Sequence, residues 1–411
     1  MTIPATAAEV PVYLRRDGFT PTPDLGRLRD AGVVERVTTP FGLTAWLLTR
    51  HDDVRTVLAD SARFSNDPSD MPPLPGLDDL TDDERAPLRF GNLLGVDPPE
   101  HTRLRRTLTA EFTLRRMRAL EPRVRRIVDR QLAELAGRGS PVDLVTGYAL
   151  PVPSLVICEL LGVPTADRAE FNAQTSRLID VSVPVRERLR VGRGLRDYMS
   201  DLVRRARLAP GDDMIGMLIR EHGCDLTHAD LTHADLTHAE LAGLANFLLL
   251  AGHETTANML ALGTLALLRH PAQLARVRDD PAAVTPAVEE LLRWLSVVQA
   301  GVPRLVRADT EFGGVRIPAG DLVLLSLPAA NRDPAAVERP DELDIGRGAV
   351  GHLAFGHGVH HCIGAPLARM ELRVGLPALL RRFPDLRMEP GGVVFRPSHV
   401  FYGLSRLVVS W

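Results

Sequence analysis

The segment Phe355-Gly356-His357-Gly358-Val359-His360-His361-Cys362-Ile363-Gly364 gathers chemistry-bearing side chains in a glycine-rich frame. Its glycines imply a tight loop whose backbone comes close to something. Cys362 falls just before a helical pattern that opens near Pro366. Free N–H groups at a helix N-terminus stabilise a thiolate, so this cysteine is a candidate ligand or nucleophile. Gly356-x-Gly358 does not make a dinucleotide loop, because His361 takes the third glycine position and no βαβ unit surrounds it. A second concentration, Ala251-Gly252-His253-Glu254-Thr255-Thr256, interrupts the most apolar stretch of the chain. Polar groups there are costly unless paired or functional. His253-Glu254 opens like the zinc-protease motif H-E-x-x-H, but Ala257 stands where the second histidine belongs. Glu290 and Arg293 share a helix face and, taken alone, make an ion pair worth ~0.3 kcal/mol.

The elements that must position these residues are mostly helical. Residues 35–50 predict two strands around Pro40-Phe41-Gly42, and residues 52–59 a helix. Residues 65–97 form a long polar, proline-rich loop of the kind that usually carries function. From Pro98 to His270 the pattern is helical almost throughout, with stops at Pro122, Pro151, Pro164, Pro184 and Pro210. Leu241 to the stop at Pro271 predicts one helix of ~45 Å, apolar on nearly every side and so central. Thr237 and Glu240 form a capping-box pattern at its start. The unit Leu-Thr-His-Ala-Asp/Glu repeats across residues 226–240. Its histidines, five apart, turn ~140° per step on a helix and share no face, so a duplicated loop unit is preferred to a metal site. Strands return over 310–327 and 393–410, around a helix from about Pro366 to Arg382. The expected fold is mainly α with a minor β-sheet region, in a single domain over 1–411.

Composition excludes several chemistries. All 49 residues counted as lysine plus arginine are arginine, which removes Schiff-base lysines and Walker phosphate loops. A net charge of −3 argues against nucleic-acid binding by bulk charge, and aromatic residues do not alternate with the arginines dense from Arg103 to Arg130, where Phe112 stands alone. Cys158, Cys224 and Cys362 are too few and too scattered for a disulfide framework. With no signal-like N-terminus and no apolar run of membrane length, a cytoplasmic protein is expected.

Taken in chain order, Ala251-Gly252-x-x-Thr255, Glu290-x-x-Arg293 and Phe355-Gly356-x-Gly358-x-His360-x-Cys362-x-Gly364 resemble the cytochrome P-450 family of haem-thiolate monooxygenases. A chance match to the six fixed positions of the cysteine loop is on the order of 10⁻⁶. The resemblance covers essentially the whole chain and is nearest to soluble bacterial members that tailor secondary metabolites.

The resemblance implies a long central helix over a non-covalent heme b, with Cys362 as the axial iron ligand. Cys158 and Cys224 are then structural. Thr255 and Glu254 are implied as the alcohol–acid pair relaying protons toward dioxygen, the carboxylate connected to solvent. Ala251 and Gly252 would open a groove over the iron. His101, Arg105, Arg304 and His360 would hold the haem propionates, while Phe355, Gly356 and Gly364 frame the cofactor loop. Arg103 and Arg106 are left to a solvated basic face. Glu290 and Arg293 become a buried structural ion pair. Its third basic member is Arg332 or Arg347, because Pro340-Asp341-Glu342-Leu343 departs from the family's P-x-R-F pattern. Substrate contacts would fall at Leu93, Leu94, residues 178–185, Phe247, Leu250, Ala300, Val302 and Phe401. Electrons would come from ferredoxin and an NAD(P)H-dependent ferredoxin reductase, because the chain has no flavin or nicotinamide motif. The implied reaction is hydroxylation or epoxidation of a small, mostly apolar natural product. Oxidative coupling or desaturation on the same fold is the alternative, followed by a non-catalytic haem binder.

Overall fold

In the computed structural model, described over residues 10–39, 42–67, 91–179, 183–222, 236–348, 351–396 and 400–411, Thr237 and Glu240 close a full capping box. Glu240 N donates to Thr237 Oγ1 at 3.1 Å, and Thr237 N donates to the Glu240 carboxylate at 2.8 Å. Two otherwise orphaned donors are thereby satisfied, and the central helix runs from there as His238–Leu268, 31 residues. Of the LTHAD repeat, residues 226–235 lie outside the described residues, as does Cys224; the final copy supplies this cap.

The helices Pro151–Leu161, Val185–Leu208 and Ala365–Arg382 pack against the central helix, and Leu114–Arg138 packs against the first and last of these, in one continuous core. Leu114–Arg138 shows the reason: Met117, Leu120, Val124, Ile127, Val128, Leu132 and Leu135 fall at helical spacing and are all buried. Each such side chain contributes about 1.5–3 kcal/mol. Pro122, expected to stop a helix, lies inside this one. It and Arg118, whose carbonyl loses its partner, are exposed, so water takes over that acceptor.

A five-stranded sheet takes the order Glu35–Thr38, Thr44–Leu48, Leu322–Leu325, Val302–Val306, Phe64–Ser65. Leu322–Leu325 is buried throughout, as a middle strand requires. It pairs in parallel with the second strand (Leu324 opposite Leu47) and antiparallel with the fourth (Leu322 opposite Leu305). The strand region read at 35–50 thus shares a sheet with the end of the region read at 310–327, whose earlier part, Thr310–Phe312 with Val315–Ile317, forms a separate hairpin. A second hairpin, Arg387–Arg396 with Gly403–Ser410, packs on the central helix. Among the described residues, no helix is long and apolar enough to cross a membrane.

Candidate active site

Between Glu240 and Leu267 the central helix is buried at every residue except Phe247, Leu250, Ala251, Gly252 and Thr255. These five occupy adjoining turns at mid-helix and keep partial solvent access there. Gly252 also has a packing role: a Cβ there would lie 3.1 Å from Ile157 Cδ1. The groove expected from Ala251-Gly252 is therefore shared, Gly252 letting the helix Pro151–Leu161 approach. Thr255 Oγ1 donates to Ala251 O at 3.0 Å, one turn back.

Glu254 differs from expectation. Its side chain is only 1% exposed, and Oε1 pairs with Arg396 Nη1 at 2.7 Å. A charge in so apolar a helix requires a partner, and that partner comes from the C-terminal hairpin rather than from solvent.

The cysteine loop is shaped by glycine. Gly356 and Gly358 have φ of 70° and 71°, and a Cβ on Gly358 would sit 2.3 Å from Leu58 O. No other residue fits so close a backbone crossing. Cys362 N donates to Phe355 O at 2.9 Å and closes the loop; Ala365–Arg382 begins three residues later. Protein surrounds the Cys362 side chain closely, yet the residue keeps solvent access, as a group lining a cavity does. Burial raises its thiol pKa, opposed by N–H groups of Gly364 and Ala365 and by Arg105 and Arg369.

A cluster of donors whose nearest carboxylate, Asp97, stays 3.9 Å from His360 Nε2 lies beside the loop. His101 and His360 stack with ring centroids 4.1 Å apart, and all four ring nitrogens lack hydrogen-bond partners. Burial, then Arg105, lowers the His101 pKa to about 4; burial, His101, Arg304 and Arg105 lower His360 to about 3. Arg304 is buried, which lowers its pKa to about 10 against the pull of Asp97. Arg105 Nη2 reaches His361 O at 2.7 Å. Asp97 is largely committed to Ser65, Asn66 and Arg307. The chemistry that satisfies such a set is one or two carboxylates, and the propionates of a haem fit it. Arg106 is exposed as expected. Arg103 is not a solvated cation: it pairs with Glu100 and Glu240 and ties the helix Glu100–Thr109 to the start of the central helix.

Glu290 and Arg293 form a fully buried pair, with both guanidinium–carboxylate contacts at 2.8 Å. The third basic member is Arg347, whose Nε lies 3.3 Å from Glu290 Oε1; Arg332 turns instead to Asp341 and Trp294 O. Arg293 also donates to Asn331 O, and Asn331 Oδ1 accepts from Leu353 N. The pair is thereby connected to the cysteine loop two residues before Phe355.

Sequence reasoning missed a second brace. Glu289 accepts from Arg369 at 2.7 Å and contacts His352 at 3.2 Å, gripping both sides of the loop. Arg369 in turn lies over the Phe355 ring, 4.6 Å from its centroid. A second carboxylate beside Glu290, on the helix Pro281–Leu295, was the available signal. Burial alone would raise the Glu289 pKa, but the hydrogen bonds of His352 and Arg369 bring it down to about 2. A carboxylate depressed from 4.5 stabilises the fold above that value and loses this contribution as pH falls toward 2. Glu289→Gln is expected to cost about 3 kcal/mol at pH 7 by urea unfolding, the gap narrowing by about 1 kcal/mol at pH 4. A gap that does not change with pH contradicts the assignment.

Of the expected substrate contacts, Leu93 and Ala300 are buried, Val302 and Phe401 partly so, and Leu94 is 55% exposed. Val298 bridges to Phe401, bringing the segment after Arg293 against the C-terminal hairpin. Of residues 178–185, 180–182 lie outside the described residues.

This combination of a solvent-reachable cysteine just before a helix start, a central helix whose burial is interrupted at mid-length and a carboxylate-seeking cluster is that of a haem-thiolate protein. A model of the family "Cytochrome P450" matches residues 196–394. "Cytochrome P450 FAS1" of Rhodococcoides fascians is 47% identical over 99% of this chain and 100% of its own. "Vitamin D(3) 25-hydroxylase" of Pseudonocardia autotrophica is 42% identical, covering 95% and 93%. The crystal structure of CYP105P1 in complex with filipin I aligns with a TM-score of 0.86 and 41% identity, covering 97% of both chains. The chain belongs to the cytochrome P450 family and is a monooxygenase of that family, which carries haem with an axial cysteine thiolate.

Proposed function

We propose that this enzyme inserts one atom of dioxygen into a C–H bond or alkene of a small, mostly apolar natural product, such as a macrolide, polyketide, terpenoid or steroid-like compound. The observation that carries the reading is the break in burial at Phe247, Leu250, Ala251, Gly252 and Thr255, which gives a mostly apolar wall with a hydroxyl in it. Two of the relatives are named with filipin I, as a bound ligand, and with the 25-hydroxylation of vitamin D(3).

Haem, when bound, supplies the iron centre at which dioxygen is activated. Cys362 is the thiolate that holds it, stabilised by the Gly364 and Ala365 N–H groups. His101, Arg105, Arg304 and His360 bind its propionates. Phe355, Gly356 and Gly364 shape the loop around it. Thr255 Oγ1, already polarised by donating to Ala251 O, accepts and passes protons, and Glu254 replenishes them. Phe247, Leu250, Ala300, Val302 and Phe401, with Leu93 and Leu94 on the approach, exclude water and orient the substrate. Electrons arrive in the cytoplasm from a ferredoxin and its NAD(P)H-dependent reductase. The exposed arginines and Leu114 at the start of the helix Leu114–Arg138 offer acidic ferredoxin a docking face.

The test is a screen of macrolides, terpenes and steroids for a haem spin-state shift, followed by turnover with ferredoxin, reductase, NADPH and labelled dioxygen. One labelled oxygen in the product is expected. Turnover without label favours coupling or desaturation, and binding without turnover favours a haem binder.

A further inference from the structure

Glu254 has no exit to solvent of its own. On one side stands His253, whose Nε2 lies 3.9 Å from Glu254 Oε2, beyond hydrogen-bond reach. Both nitrogens of that ring are engaged, at 3.1 Å from Leu249 O and 3.2 Å from Thr175 Oγ1, and the side chain is buried. On the other side stands Arg396, at the end of the strand Arg387–Arg396, with its side chain 17% exposed. Its guanidinium bridges two positions one turn apart on the central helix: Nη1 to Glu254 and Nη2 to Asn258 Oδ1 at 2.6 Å. Three polar atoms of this triad remain buried with no partner among the described residues: Glu254 Oε2, Arg396 Nε and Asn258 Nδ2. One acceptor and two donors on three touching side chains make a site that ordered water would satisfy. The triad also has its room reserved, because a Cβ at Gly403 would lie 1.9 Å from Asn258 Oδ1.

We propose that Arg396 is the positioning residue of proton supply: it fixes Glu254 and, with Asn258, holds the water through which that carboxylate exchanges protons with solvent. The inference rests on the reading of Glu254 as the acid above. It adds the outward half of the route and places it on the hairpin that bears Phe401. Substrate contact and proton supply then share one element.

The holoprotein tests this without a known substrate. Wild type, Arg396→Gln, Arg396→Lys, Glu254→Gln and the Glu254→Gln/Arg396→Gln double variant are reduced with dithionite. The slow phase of reoxidation is then followed in air-saturated H₂O and D₂O. Arg396→Gln is expected to slow this phase at least ~5-fold and enlarge the solvent isotope effect, with Arg396→Lys restoring part of both. The double variant is expected to be no slower than Glu254→Gln alone. Urea unfolding of the same proteins supplies an independent readout, in which the double variant's midpoint falls no further than the larger single effect. Wild-type rate and isotope effect in Arg396→Gln, or losses that multiply in the double variant, overturn the inference. Were the wild-type carbon monoxide spectrum itself to lack the thiolate signature, the functional reading would fall. With that spectrum intact, a silent Arg396→Gln removes this inference alone.

Discussion

Glu290→Gln is expected to destabilise the protein by about 3–5 kcal/mol, because it leaves a guanidinium in the interior without its counter-charge. Arg293 is fully buried, and its donors also hold Asn331 O, Pro340 O and Glu342 O. Glu290 Oε1 additionally accepts from Asp344 N and contacts Arg347. Losing the carboxylate charge thus loosens the 340–347 segment and, through Asn331 and Leu353, the approach to the cysteine loop. Urea unfolding measures the loss, and haem content per chain should fall with it. Arg332→Gln is the comparison: its partner Asp341 is 68% exposed, so the ion-pair part of its loss is smaller. A cost below about 1 kcal/mol for Glu290→Gln, within the range of surface pairs, would remove the buried pair from this account.

Cys362→Ser is expected to abolish the spectral signature of thiolate ligation and lower monooxygenase turnover at least ~10³-fold, ~4 kcal/mol on the barrier. A serine hydroxyl stays protonated where a thiol, even one raised by burial, is released by metal coordination. Cys158→Ser is the control. That thiol is buried among apolar side chains, and burial raises its pKa to about 11. It behaves as a small core residue, so the spectrum should survive its replacement.

Local signals were legible and distant pairings were not. The cap of the central helix needs only Thr237 and Glu240, three apart, and both its bounds fell within three residues of expectation. Pro122 misled because its effect depends on whether the freed carbonyl faces water, a property of packing. The buried state of Glu290–Arg293 came from the family resemblance; the choice of Arg347 over Arg332 required knowing how the chain returns at residues 340–347. Arg103 looked solvated because Glu240 lies 137 residues away in sequence. Arg396 carried no signal at all: its meeting with Glu254 follows from the C-terminal hairpin packing against the central helix. The site is thus legible where chemistry is compressed into one loop. It is opaque where charge balance is completed by long-range contacts.

The account turns on a haem held by the Cys362 thiolate. The most direct measurement is the carbon monoxide difference spectrum of the purified, dithionite-reduced protein. A Soret band shifted to the red, as thiolate ligation alone produces, is predicted. A band without that shift, in protein that has retained its haem, would contradict it.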